Sequence, residues 1–383
     1  MKKFLYSGSF FLIAVLICAC FSPWQGDEGN LSIVWGNSGN SRWVNDLDDI
    51  NVFKVILKGP GGTIEEEFNG IPGANFSVIP GTWSVTVKGG KYDPPMPDFF
   101  LEVMGIEQVE VKAGEKSSEK INMYTVFEVY DWSTLNADMA ANNGSYNIAY
   151  PGAPPPPRTE ILLIKNNLKA DSPINIIRPI IIVAEKPVTI RRNPGFDYDS
   201  FFNVSGTDPK LSLGCPGMTG TITLDGAGVN PSLSLGPSVV NLSNGNFVLW
   251  NGVTIRNNKS SYGGGGVSIT SGTFTMNGGN INDNTVLEHN GDSYGGGVFM
   301  TGGIFNMNGG NINGNIIEGA GGLSQGGGVY VGGGTFTMSG GTISGNIVKG
   351  SNALGGGVYV GGGAFTQPYK GTISGNSPDQ VKP

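Results

Sequence analysis

The stretch Gly263-Gly264-Gly265-Gly266-Val267-Ser268-Ile269-Thr270-Ser271-Gly272-Thr273-Phe274-Thr275-Met276-Asn277-Gly278-Gly279-Asn280-Ile281-Asn282-Asp283-Asn284 decides the fold of this 383-residue chain. Apolar residues alternate in it over three to five positions, then stop at glycine or asparagine. That period of two means short strands with one buried face, not helices. The same order returns three times, with the valine after the glycines at Val267, Val298, Val329 and Val358, at spacings of 31, 31 and 29. Each of the next two copies carries a Phe-x-Met pair, Phe305-x-Met307 or Phe336-x-Met338, then an isoleucine, Ile312 or Ile343, and closes at Asn315 or Asn346. A half copy precedes them, with Phe247-x-Leu249, Val253-x-Ile255 and Asn258.

Three strands per repeat, stacked parallel on the next repeat, make a coil with a dry interior. Five inward side chains per coil contribute roughly 7 to 15 kcal/mol gross, at about 1.5–3 each, and chain entropy offsets most of that. A lone coil would not hold, so stacking is obligatory. Columns of equivalent residues are then expected: Phe274, Phe305, Phe336 and Phe365 inside, and Asn284, Asn315, Asn346 and Asn376 at a corner. An asparagine column can hydrogen-bond side chain to side chain along the axis. The variable stretches 284–295, 315–326 and 346–355 are expected to be loops from one corner.

Composition agrees. Of 64 glycines, 37 fall between Gly263 and Gly375, in doublets and triplets rather than at every third position, which excludes a collagen helix. Val, Ile, Phe and Met between them exclude disorder. Charged residues are 14% and the net charge is −7, which argues against a nucleic-acid partner.

These motifs resemble right-handed parallel β-helix proteins of the pectin-lyase-like class, especially repeat-bearing surface lipoproteins and polymorphic outer-membrane proteins. Their Gly-Gly-Ala-aliphatic and Phe-x-x-Asn motifs are matched by Gly-Gly-Gly-Val and Ile-x-x-Asn. The likeness covers about Val126 to Asn376, with regular repeats over 264–376 and a short tail, 377–383. It implies an all-β fold, a right-handed parallel β-helix, and says little about activity. Asp131 ahead of Trp132, Leu135 and Met139 predicts an N-capped helix within 126–144 that closes the first coil. At the other end Gln367-Pro368 and Lys370 are expected to deter further strand addition.

Residues 31–123 carry short alternating runs at spacings that suit a small β-sandwich. Within them Pro80-Gly81-Thr82-Trp83-Ser84-Val85-Thr86-Val87 resembles a strand motif of prealbumin-like and carboxypeptidase-regulatory-like sandwiches. Glu65, Glu66 and Glu67 read as a solvated strand or turn, and the unit as a spacer or docking module.

At the start, Met1-Lys2-Lys3 and the apolar run Phe10 to Ile17 have the design of a secretory signal. Ile17-Cys18-Ala19-Cys20 resembles a bacterial lipobox. The resemblance implies cleavage after residue 19, acylation of Cys20, and a tether over 20–30. A bacterial envelope location follows, at the outer membrane and surface-exposed, or on its periplasmic face. Cys215 would then be the one thiol left, so no internal disulfide is available. Before Pro216-Gly217 it reads as an inert turn residue.

Enzymes of the resembled class use clustered or calcium-bound acids with an Arg or Lys base. Between Gly263 and Asn376 the carboxylates are Asp283, Glu288, Asp292 and Glu318, with Lys349 and Lys370 as bases, and no column of them repeats. Glycosidic acid–base work needs two carboxyls held close together. Glu288-His289-Asn290-Gly291-Asp292 reads as a solvated loop, so no metal and no cofactor is expected. Arg191, Arg192, Asp197, Asp199 and Asp225 cluster in less regular coils, where a carbohydrate site is the alternative to structural turns and ion pairs. Alternation also puts Ser268, Phe299, Tyr330 and Tyr359 one above another on the outer face; Phe299, Tyr330 and Tyr359 are candidate ligand contacts. The expectation is a non-catalytic, lipid-anchored surface protein acting in adhesion, glycan or host-matrix binding, or envelope structure. The alternative is a polysaccharide lyase or glycoside hydrolase with its site in the irregular coils. Oligomeric state and ligand identity are left open.

Overall fold

The computed structural model describes residues 28–37, 50, 52–69, 73–92, 99–141, 159–196, 199–206, 209–228, 238–261, 263–287, 291–319, 321–350, 352–367 and 370–383. The signal segment and Cys20 therefore lie outside the described residues, as do Asp197, Glu288, His289 and Pro368.

Among the described residues the chain is all-β but for one helix. Seven strands form the first unit: β1 (Gly29–Asn37), β2 (Val52–Gly59), β3 (Gly62–Asn69), β4 (Gly73–Val78), β5 (Gly81–Tyr92), β6 (Phe99–Val111) and β7 (Lys116–Val129). One layer runs β3-β2-β5-β6-β7, and β1 pairs with β4 antiparallel and with β7 parallel to make the other. Because β7 belongs to both layers, the small sandwich is closed along that side like a half-barrel. Its core holds Leu31, Ile33, Trp35, Val55, Leu57, Trp83, Val85 and Val87. The Pro80-Gly81 turn leads Trp83 onto Gly59, where an added Cβ would meet its ring at 2.4 Å, and the indole N–H donates to the Ile79 carbonyl at 2.8 Å. Glu65, Glu66 and Glu67 lie on β3, an exposed edge strand, and Glu67 pairs with Lys54 at 3.5 Å.

Beyond Val126 the strand β7 changes partner. Val126 to Val129 pair in parallel with Ile161 to Ile164 of β8 (Glu160–Ile164). The boundary between the two units thus falls inside one strand, and the sandwich sheet continues into the first sheet of a parallel β-helix. A second contact locks the units together. Met104 of the sandwich packs with Val126, Ile161, Leu163, Val183 and Cys215. Lys58 donates to the Gly217 carbonyl at 3.2 Å, and Lys88 pairs with Glu185.

The helix α1 (Trp132–Ala141) sits between β7 and β8. Asp131 Oδ1 accepts the Thr134 N–H at 2.7 Å, satisfying an amide that has no partner within the helix. Trp132 and Leu135 are buried beside Phe201 and Phe202, which closes the open end of the first coil.

Each coil has three strands, the first being β8, β9 (Leu168–Ala170) and β10 (Ile174–Ile176). Repeating this order builds three sheets, each with eight β-helix strands in parallel register. Val267, Ile269, Phe274, Met276 and Ile281 all point inward and have no exposed surface. The phenylalanine column stacks at 4.7, 4.6, 4.5 and 5.0 Å from Phe247 through Phe274, Phe305 and Phe336 to Phe365. Those distances are close to the inter-strand spacing; the ladder register imposes a face-to-face geometry that free rings do not prefer.

The stretches after each corner asparagine depart from the expected loops. They carry two more short ladders, one through Thr285–Leu287, Ile316–Glu318 and Ile347–Lys349, the other through Ser293–Tyr294, Leu323–Gln325 and Asn352–Leu354. Val286, Ile317 and Val348 form a small core of their own under this flange. The physical cause is an apolar residue two places after each ladder asparagine, which recurs with the coil period.

Residues at the end of the chain complete the last coil. Val381–Lys382 pairs with Val358 and Tyr359, and Gln380 Oε1 accepts both the backbone N–H of Asn376 and its side-chain Nδ2.

Candidate functional site

Two outer-surface features carry chemistry, a row of aromatic rings and a charged pocket. The row lies on the sheet containing β10. Ser268, Phe299, Tyr330 and Tyr359 are in register there. Tyr330 and Tyr359 stack at 5.7 Å with an interplanar angle of 4°, and Phe299 stacks on Tyr330 at 5.5 Å. Glycines let the rings lie close to the sheet: a Cβ at Gly332 would fall 2.6 Å from the Tyr330 ring, and one at Gly361 3.3 Å from that of Tyr359.

The flange adds a ring that alternation within the strands does not reveal. Tyr294 lies 4.5 Å from Tyr330 and 6.0 Å from Phe299. Its hydroxyl donates to Asp292 at 2.8 Å. The Leu323 N–H donates to the same carboxylate, and together these bonds hold the Asp292 carboxyl below the usual range. Phe299 is covered as a result, only 9% exposed, whereas Tyr330 and Tyr359 stay half-buried with accessible surface.

The pocket lies in the sheet containing β9, where the irregular coils meet the regular ones. Arg191, Asp225 and Arg256 follow one another across adjacent strands. The space beside them is about 220 Å³, lined by Arg191, Asp225, Asn257, Lys259, Asp283 and Thr285 among others. Asp225 is 7% exposed. It accepts from the Ala227 N–H at 2.8 Å and from Arg256 and Asn257 Nδ2, both at 3.4 Å.

The acidic and basic residues grouped from sequence do not all converge. Arg191 faces outward, but Arg192, next along the strand, turns inward. There its guanidinium donates to the carbonyls of Phe196 and Asp199 and to Asn258 Oδ1 at 3.2 Å, and packs over the Phe201 ring. Asp199 contributes its backbone only. Lys259, Asn257 and Asp283 were absent from that grouping. A signal for the last two was present: the residue before the ladder asparagine is glycine at Gly314, Gly345 and Gly375, but Asn257 and Asp283 in these coils.

Elsewhere, Glu318 pairs with Lys349 of the next coil at 3.0 Å on the exposed flange. Cys215 is buried between the two units, and burial pushes its thiol up to about 12. Among the described residues no three His, Cys, Asp or Glu side chains come together as a metal set. No protein family, curated protein or solved structure matches this chain.

Proposed function

We propose that this chain is an exported, lipid-anchored protein of a bacterial envelope whose β-helix presents a binding surface to glycan or host matrix. The observation that carries the reading is the Tyr330–Tyr359 pair, two parallel rings held at the coil spacing on a rigid sheet with accessible surface. Such flat apolar faces suit the apolar face of a sugar ring or a partner side chain. The lipobox-like Ile17-Cys18-Ala19-Cys20 and the likeness of the repeats to those of surface lipoproteins support the location. In this reading the fused sandwich sets the β-helix off from the membrane as one body.

The test is retention on a glycan array and on matrix proteins. Replacing Tyr330→Ala together with Tyr359→Ala is expected to weaken it about tenfold, the scale of one lost aromatic contact. Unchanged retention removes the aromatic row from the function. For the anchor, palmitate labelling of cells should mark the parent and not Cys20→Ala, and label-free parent protein in the soluble fraction would refute it.

Cleavage of an acidic polysaccharide is the second reading, favoured by the Arg191–Asp225–Arg256 row beside a pocket. Binding without turnover is the better supported of the two, since Asp225 is engaged by three donors within the fold. Turnover of such a polymer, abolished by Arg191→Ala or Asp225→Asn, would reverse that preference.

A further inference from the structure

Asparagine followed by glycine can rearrange without an enzyme. The glycine nitrogen attacks the asparagine side-chain carbon, and no Cβ on the glycine shields it or restricts its backbone. Five such pairs lie wholly among the described residues, beginning at Asn244, Asn251, Asn277, Asn308 and Asn313. The coil holds one of them differently from the rest.

Four are kept from reaction by bonds between coils. The glycine N–H after Asn308 donates to the Met276 carbonyl at 3.1 Å, and the one after Asn313 to the Ser344 carbonyl at 3.2 Å. Attack by either nitrogen would first break a ladder bond. Asn277 Oδ1 accepts from Asn308 Nδ2 at 2.9 Å, and Asn251 Oδ1 from the Gly279 N–H at 3.4 Å, so both side-chain amides are turned toward the next coil. Asn244 is placed otherwise. It is exposed in the turn between the strands Val240–Leu242 and Asn246–Leu249. There the Gly245 N–H donates to Asn244 Oδ1 at 2.8 Å, which sets the Asn244 Cγ beside the nitrogen that would attack it. Groups held side by side react orders of magnitude faster than groups that must first meet.

We propose that Asn244–Gly245 is a site of spontaneous deamidation, left open by the β-helix while its ladders guard the other described pairs. The Gly245 nitrogen gives its proton to solvent and bonds to Asn244 Cγ. The bond from Cγ to Nδ2 then breaks, and Nδ2 leaves as ammonia with a proton from solvent. Water opens the cyclic imide at Cγ to leave aspartate, or at the main-chain carbonyl to leave isoaspartate. Water is consumed, ammonia is released, and nothing is oxidised or reduced. The products bear on the corner itself. Asn244 Nδ2 donates to the Gly206 carbonyl, and the Gly245 carbonyl accepts the Thr273 N–H of the next coil at 2.8 Å. Conversion removes the first donor and adds a negative charge, and isoaspartate also lengthens the main chain. A Cβ on Gly245 would meet the Pro209 carbonyl at 2.4 Å, so the turn has no slack to absorb that extension. The chemistry depends on neither the tyrosine row nor the charged pocket.

Peptide mapping by mass spectrometry tests this on the full chain, aged in mildly alkaline buffer made with heavy-oxygen water. The label separates conversion in the folded protein from conversion during later digestion. Asn244 is expected to convert at least about tenfold faster than Asn251, Asn277, Asn308 or Asn313, and to give both aspartate and isoaspartate carrying the label. In urea the five rates should converge, because there the pairs share their dipeptide and no longer differ in their hydrogen bonds. Equal rates at the five sites in the folded chain overturn the proposal. So does an Asn244 that stays an amide, one that yields aspartate without isoaspartate, or the same order of rates in urea as in the folded protein.

Discussion

Asn346 Oδ1 accepts two hydrogen bonds from Asn315, from its side-chain Nδ2 at 2.9 Å and from its backbone N–H at 3.0 Å. The same Nδ2 donates to the Ile281 carbonyl one coil back, at 2.9 Å. One asparagine thus ties three coils, and Asn284 and Asn346 repeat the pattern. Buried amides of this kind are held by partners on every side, which is where removal costs most.

Asn315→Ala is accordingly expected to destabilise the protein by about 3 kcal/mol or more, because it strands the Asn284 N–H and Nδ2 donors where no solvent reaches. Urea unfolding measures it. A loss under about 1 kcal/mol would mean the column is decoration on a core that stands without it.

The ladder ends differently at its two sides. Arg192, 4% exposed, donates to Asn258 Oδ1 at the start, and Gln380 accepts from Asn376 at the finish on the surface. Arg192→Met should cost about 3 kcal/mol, leaving two carbonyls and an amide oxygen short of a charged donor, whereas Gln380→Ala should cost about 1. Equal costs in paired unfolding experiments would contradict this assignment.

Two glycines four residues apart should respond in opposite ways. At Gly341, φ 81°, a Cβ would meet the Gly310 carbonyl at 2.6 Å, and Gly341→Ala is expected to lose at least about 2 kcal/mol. At Gly345 the space is open, and Gly345→Asn should stay within about 1 kcal/mol of the parent, as asparagine tolerates that conformation. Similar melting temperatures for the two variants would refute the distinction.

Burial of Cys215 raises its thiol from 9.0 to about 12. A raised folded value means that the folded state holds its proton while the unfolded state loses it, so the contribution is full below pH 9 and declines toward 12. Stability should fall by up to about 1.4 kcal/mol per pH unit across that window, beyond any slope in Cys215→Ala. A thiol reagent at pH 8 should label Cys215 only once the protein unfolds, and rapid labelling of that residue in the folded chain would place it at the surface.

Much of this architecture is legible in the sequence because the repeat is strict. Phe274, Phe305 and Phe336 announce an inward column by spacing alone, and the asparagines that close each copy announce the ladder. Val286, Ile317 and Val348 recur just as regularly, but a single apolar residue in a variable stretch is too short a signal to define a strand. The site is less legible. Tyr294 reaches Phe299 across the flange, and Lys259 joins Arg191 only through stacking of coils whose sequences share no motif.

By itself the sequence determined the coil: alternation sets which side chains point in, and period sets which residues stack, both being properties of local backbone geometry. Tertiary structure alone decided the rest. It made β7 one strand shared by two units, buried Arg192 while leaving Arg191 outside, and gathered Arg191, Lys259 and Asp283 around one cavity. Those outcomes depend on which coil lies against which and on where the chain turns at each corner, information carried by contacts between distant residues rather than by any stretch of them.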